Sequence, residues 1–132
     1  MRHFAAHCAH IEVDPVLIEQ ALMNVVENAA AHAPAAAPIV ASVQNLDAGV
    51  RLSVEDSGDG ISAADLPHVF DKFFRGGGDR RRGSGVGLGL AVTRGLVEAF
   101  GGSVRAVSPA HDGRGTRIEI DLPAHRIEEP GE

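Results

Sequence analysis

Three short stretches of this 132-residue chain carry residue types at spacings that suit chemistry as well as packing. In QALMNVVENAAAHAP, at 20–34, three amides and a carboxylate recur at helical spacing. In DSGDG, at 56–60, an acid precedes two glycines at the end of an alternating apolar run. There Asp56 could accept a hydrogen bond deep in a pocket, although D-x-G-x-G also describes many tight turns. In RGGGDRRRGSGVGLGL, at 75–90, glycines and four arginines stand directly before an apolar run. Each glycine loses more backbone entropy on folding than any other residue, so this stretch needs a linker, a turn or a ligand to explain it.

A linker is ruled out by the residues at its C-terminal end. Gly85, Gly87 and Gly89 alternate and run without a polar break into an amphipathic segment. A helix N-terminus presents unpaired N–H groups and a partial positive charge, and flanking glycines admit phosphate oxygens to the backbone. Anion binding is therefore favoured over a structural turn. Two phosphate motifs are excluded. A P-loop needs a lysine after its glycines, but the single lysine, Lys72, precedes a phenylalanine. A dinucleotide-binding G-x-G-x-x-G needs a strand before it, and GGGDRRR cannot be a buried strand.

The elements that must position these residues are legible in outline. Asp14-Pro15 is a helix start, an N-cap acceptor followed by proline at the first helical position. The pattern predicts a helix over roughly 15–33, with Ile18, Leu22, Val25 and Ala29 in one narrow arc. Gln20, Asn24, Glu27, Asn28 and Ala31 fall nearly opposite. Alternation predicts strands at 39–44 and 50–56 with NLDAG as the hairpin turn. AADLPHVFDKFF reads as short helical turns, and a second helix is expected over 87–100, closed by Gly101-Gly102. Strands at 103–107 and 116–122 come next, with a loose tail. FAAHCAHIEV is a candidate edge strand, in which His3, His7, Cys8 and His10 read as incidental side chains rather than a metal site. The expected fold is α+β, a two-layer α/β sandwich whose mixed, mostly antiparallel sheet carries helices on one face.

Bulk properties narrow the partners. A formal charge of −6 gives no basic field for nucleic acid. One cysteine, Cys8, makes no internal disulfide and suits a reducing compartment. No apolar run approaches the ~20 residues that span a bilayer, so no membrane contact by this domain itself is expected.

Taken together, ENAAAHA, DSGDG and GVGLGL in this order resemble the catalytic, ATP-binding domain of sensor histidine kinases, within the GHKL (Bergerat-fold) ATPases. QALMNVVENAAAHAP is similar to the N box, DSGDGI to the first glycine box, FDKFFR to the F box and GVGLGLAV to the second glycine box; GRGTRIEIDLP resembles the closing strand pair. FDKFFRG followed by GVGLGLAVTRGLVEAFGG is most similar to the KdpD-type potassium sensors. The resemblance implies an ATP-binding catalytic domain over 1–124 and a flexible tail over 125–132. It implies that Asn28 offers its amide oxygen to Mg²⁺ and that Asp56 accepts the adenine amino hydrogen, which disfavours GTP. Gly58 and Gly60 would let the chain pass close to the base, and Gly85, Gly87 and Gly89 would shape the lid's end near the phosphates. The implied ATP-binding set is completed by Asn24, His32, Ile61, Phe70, Arg75, Val86, Leu88, Leu90 and Thr116. A mobile lid is expected over 76–84, its closure depending on the γ-phosphate.

Two departures qualify the likeness. Many N boxes carry a lysine three residues after the metal-binding asparagine; here Ala31 stands there, which leaves Arg75, Arg80, Arg81 or Arg82 to supply the cation. Hydrolytic GHKL relatives carry a water-activating glutamate four residues before that asparagine, where this chain has Asn24, which cannot be a general base. The resemblance thus implies ATP, Mg²⁺ and phosphoryl transfer to a protein, with no phosphoacceptor histidine in a suitable helix of this chain. The implied partners are a dimerisation/phosphoacceptor domain and, through the full kinase, a response regulator. The implied setting is cytoplasmic, as a domain of an inner-membrane sensor kinase. An anti-sigma-type serine kinase and a nucleotide-sensing module without chemistry are the alternatives.

Overall fold

In the computed structural model the described residues are 11–32, 37–72, 89–111 and 113–124. Helix α1 spans Pro15–His32 and starts as its cap residue dictates: the backbone N–H groups of Val16 and Leu17 donate to Asp14 Oδ1 at 2.9 and 3.4 Å. Ala21, Val25 and Ala29 recur every four residues and are buried; Ile18, Leu22 and Val26 flank them against the same core. Helix α2 spans Gly89–Ala99 and buries Thr93 and Val97. It ends in a Schellman motif, in which Gly102 N–H donates to Val97 O at 3.0 Å and Gly101 N–H to Glu98 O at 2.9 Å. Gly101 sits at φ +83°, a left-handed conformation that costs glycine little and other residues more.

Four strands complete the layer: β1 (Val40–Leu46), β2 (Gly49–Asp56), β3 (Ser103–Val107) and β4 (Thr116–Pro123). Their order is β1-β2-β4-β3, and every described pair is antiparallel. The β1–β2 turn is tighter than NLDAG suggests, because Leu46 pairs with Gly49 and leaves only Asp47 and Ala48 between the strands. A 3₁₀ turn at Leu66–His68 realises the short helical structure expected there.

Alternation divides the sheet into two faces. Val50 and Val54 of β2 and Ile118, Ile120 and Leu122 of β4 are buried, and most of them join Val25, Ala29 and Val97 in one cluster under the helices. The opposite face carries Arg51, Arg105, Arg117, Glu119 and Asp121. Glu119 is only 5% exposed and takes Arg105 Nε at 2.7 Å and Arg117 Nε at 2.8 Å. Arg51 grips Asp121 through two bonds, at 2.7 and 2.9 Å. Burial pushes the Glu119 carboxyl up, but its hydrogen bonds to Arg117 and Arg105 and the charges of Arg105 and Arg51 outweigh burial and hold it below its ordinary value. The Arg51 hydrogen bond likewise depresses Asp121, and the two arginines Arg51 and Arg117 are raised by their carboxylates.

Candidate functional site

The site begins where β2 ends. Asp56 is 3% exposed, and its Oδ1 accepts the Gly58 N–H at 2.8 Å, so the carboxylate shapes the loop beyond it. Asp56 pairs with Thr116 at the start of β4, which is 6% exposed. A buried carboxylate beside a glycine loop needs polar partners, and the Gly58 N–H supplies one of them.

The loop over 56–61 is held from behind by the β3–β4 connection. Gly115 N–H donates to Gly58 O at 3.0 Å, and Arg114 Nη2 donates to Ser57 O at 3.1 Å. Ser108 Oγ accepts the Ile61 N–H at 2.8 Å and donates to Gly115 O at 3.0 Å. Gly115 has φ +87°, and a Cβ there would lie 2.5 Å from Asp56 O, so both conformation and space require glycine. A Cβ on Gly60 would lie 2.8 Å from Ser108 Oγ. Glu55 faces the same connection: Arg117 Nη1 donates to its Oε1 at 3.4 Å, and His111 Nδ1 lies 2.5 Å from its Oε2 without hydrogen-bond alignment.

Helix α1 crosses this end of the sheet. Asn28 is half-buried beside Ala29, and Ala29 shares the core cluster with Val54, two residues before Asp56 on the same face of β2. Asn24 lies one turn earlier, and its Oδ1 accepts Gln20 Nε2 at 3.3 Å. Asn28 also has a polar partner of its own. Phe70 and Leu90 are half-buried and pack against the core cluster. Gly89 opens α2, and a Cβ there would meet nothing within 4 Å. His32 is the last residue of α1, with its side chain outside the described set. Arg75, Gly85, Val86, Gly87 and Leu88, together with residues 76–84 where a lid is expected, also lie outside the described residues.

Sequence reasoning therefore named Asp56, Gly58, Gly60, Ile61 and Thr116, which the fold brings together, but missed Ser108 and Arg114 and gave Gly115 no role. The signal was present in VSPAHDGRGT, where a serine and two glycines bracket a turn, but nothing local ties that turn to residues some fifty positions earlier.

The family described as "Histidine kinase-, DNA gyrase B-, and HSP90-like ATPase" matches residues 13–126. The chain belongs to this family. Among its relatives, the sensor histidine kinase CusS of Escherichia coli K12 is 38% identical over 122 residues, 92% of this chain and 25% of CusS. The sensor protein KdpD of Clostridium acetobutylicum is 40% identical over 106 residues, 78% of this chain and 12% of KdpD. The mycobacterial sensor histidine kinase MprB superposes with a TM-score of 0.78 at 32% identity, covering 89% of this chain and 78% of that one. The domain is thus the ATP-binding catalytic domain of a sensor histidine kinase. The KdpD likeness is one among several, since CusS matches at similar identity. The chain spans a quarter or less of the length of these curated relatives. No helix among the described residues is long and apolar enough to cross a membrane.

Proposed function

We propose that this domain binds Mg-ATP with the adenine against Asp56, and passes the γ-phosphoryl group to a histidine on a separate dimerisation domain. The observation that carries the reading is Asp56 itself, a 3%-exposed carboxylate fixed by the Gly58 N–H at the mouth of a glycine loop. An acceptor there pairs with the adenine amino group, whereas guanine presents a carbonyl and sets two acceptors face to face. Gly58, Gly60 and Ile61 then line the base, with Thr116 beside Asp56. Asn24, Asn28 and the start of α2 at Gly89 and Leu90 border the phosphates, joined by His32, Phe70, Arg75, Gly85, Val86, Gly87 and Leu88 on the family pattern.

The donor set suits magnesium. Asn28 supplies a neutral amide oxygen on α1, and the described residues contain no cluster of three His, Cys, Asp or Glu that would cage an ion without a phosphate. When bound, magnesium neutralises charge on the phosphates during transfer. The chain's own residues orient the nucleotide and leave the attacking nitrogen to the partner domain. That nitrogen bonds the γ-phosphorus as the bond to the ADP oxygen breaks. Asn24 holds an amide where a water-activating acid would be needed, which favours transfer over hydrolysis. The parent protein is read as a KdpD-like, inner-membrane sensor with this domain in the cytoplasm, signalling to a response regulator.

Nucleotide sensing without chemistry is the rival, favoured by the exposed Ala31 at a position where the family often has lysine. Calorimetry of ATP, ADP and GTP with and without Mg²⁺ tests the site. GTP should bind at least about tenfold more weakly than ATP. Equal affinity would remove Asp56 from its assigned role.

A further inference from the structure

We infer that Ser108 is a positioning residue for the adenine end of the site, acting through the loop over 56–61; the inference rests on the reading that this loop receives the base. Its hydroxyl accepts the Ile61 N–H at 2.8 Å and donates to Gly115 O at 3.0 Å, so one atom ties two loops from sequence positions 47 apart. Gly115 passes the connection on, since its own N–H donates to Gly58 O at 3.0 Å, and Gly58 N–H donates to Asp56 Oδ1 at 2.8 Å. The chain of contacts runs from Ser108 through Gly115 and Gly58 to the carboxylate that faces the base.

The loop lies flush on this hydroxyl. A Cβ at Gly60 would approach Ser108 Oγ to 2.8 Å, and one at Gly115 would approach Asp56 O to 2.5 Å. No slack separates the two loops. Arg114 Nη2, on Ser57 O at 3.1 Å, is an exposed second tie, but Ser108 is the half-buried one. Removing its hydroxyl strands the half-buried Ile61 N–H and leaves Gly115 O only the Ala110 N–H, at 3.1 Å, which costs more than losing one exposed bond. The loop then drifts from the geometry in which Asp56 meets an amino group and rejects a carbonyl. Ser108 thus acts on base discrimination without touching the nucleotide.

The test uses the whole chain with Ser108→Ala, Ser108→Thr and Asp56→Asn, titrated with ATP, ADP and GTP, alongside amide exchange at Ile61. Ser108→Ala should weaken ATP and ADP by the same factor, about tenfold, and narrow the ATP-to-GTP ratio. It should also speed Ile61 amide exchange, with the Mg²⁺ dependence and cooperative melting retained. Ser108→Thr keeps the hydroxyl and should restore most of both. Unchanged affinity and unchanged Ile61 exchange in Ser108→Ala, while Asp56→Asn loses ATP, would overturn the role of Ser108 alone. So would a loss of ATP and GTP by one common factor, which signifies general loosening. Full ATP affinity in Asp56→Asn would instead overturn the adenine reading, and Ile61 exchange would still decide whether Ser108 holds the loop.

Discussion

Asp56 Oδ1 and the Gly58 N–H stand 2.8 Å apart, joining the end of β2 to the first turn of the glycine loop. That bond separates two duties of one side chain. In Asp56→Asn the amide oxygen can still accept from Gly58, so the loop should keep its shape. The other atom changes from acceptor to donor and opposes the adenine amino group. ATP affinity should fall at least about tenfold with little loss of melting temperature, and the preference over GTP should shrink. Calorimetry paired with thermal melting checks both.

Asn28→Asp should act on the metal instead. It keeps an oxygen ligand but adds a negative charge beside the phosphates. The Mg²⁺ concentration for half-maximal ATP binding should shift, while adenosine affinity, which needs no ion, should not. Titration of ATP and adenosine over a Mg²⁺ series separates the two. A parallel loss of adenosine would assign Asn28 to packing.

Gly115→Ala should weaken fold and site together. The residue sits at φ +87°, and the new Cβ would press on Asp56 O from 2.5 Å. A destabilisation above about 1 kcal/mol is expected, because alanine at positive φ adds strain to the clash. Urea unfolding measures it, and ATP affinity should drop in the same variant because Gly115 N–H anchors Gly58 O.

The charged face of the sheet makes an acid-stability prediction. Glu119 and Asp121 both have folded-state pKa values below their ordinary ones. A depressed carboxylate binds its proton more readily in the unfolded chain, so its stabilisation is complete above the unfolded pKa of about 4 and is lost as pH falls through the lower folded value. Melting temperature should therefore decline below about pH 4. In Glu119→Gln the protein should be less stable at neutral pH and lose less on acidification. An identical acid limb in the variant would contradict the role given to the Arg105–Glu119–Arg117 contacts.

Much of this architecture is legible in the sequence because it is local. The Asp14 cap, the Val25 and Ala29 stripe and the bounds of β3 follow from spacing and capping over a few residues. NLDAG suggests too wide a β1–β2 turn because Gly49 looks like a turn residue. Its glycine is needed instead within β2, where a Cβ would lie 2.0 Å from Leu122 O. Such close approaches depend on which strands become neighbours, and nothing within β2 encodes β4 as its partner. The site divides the same way. Asp56 and its glycines announce themselves, whereas the role inferred for Ser108 depends on its contact with Ile61, 47 positions earlier.

Phosphotransfer is the most direct test of the account. The chain would be mixed with a histidine-bearing dimerisation domain from a sensor histidine kinase, and with γ-labelled ATP and Mg²⁺. Label should appear on the histidine of that domain, as an acid-labile phosphoramidate, and Asp56→Asn should remove it. Alone, the chain should neither label itself nor hydrolyse ATP above a slow background. Rapid hydrolysis by the isolated chain, or tight ATP binding with no label reaching any histidine partner, would contradict the account.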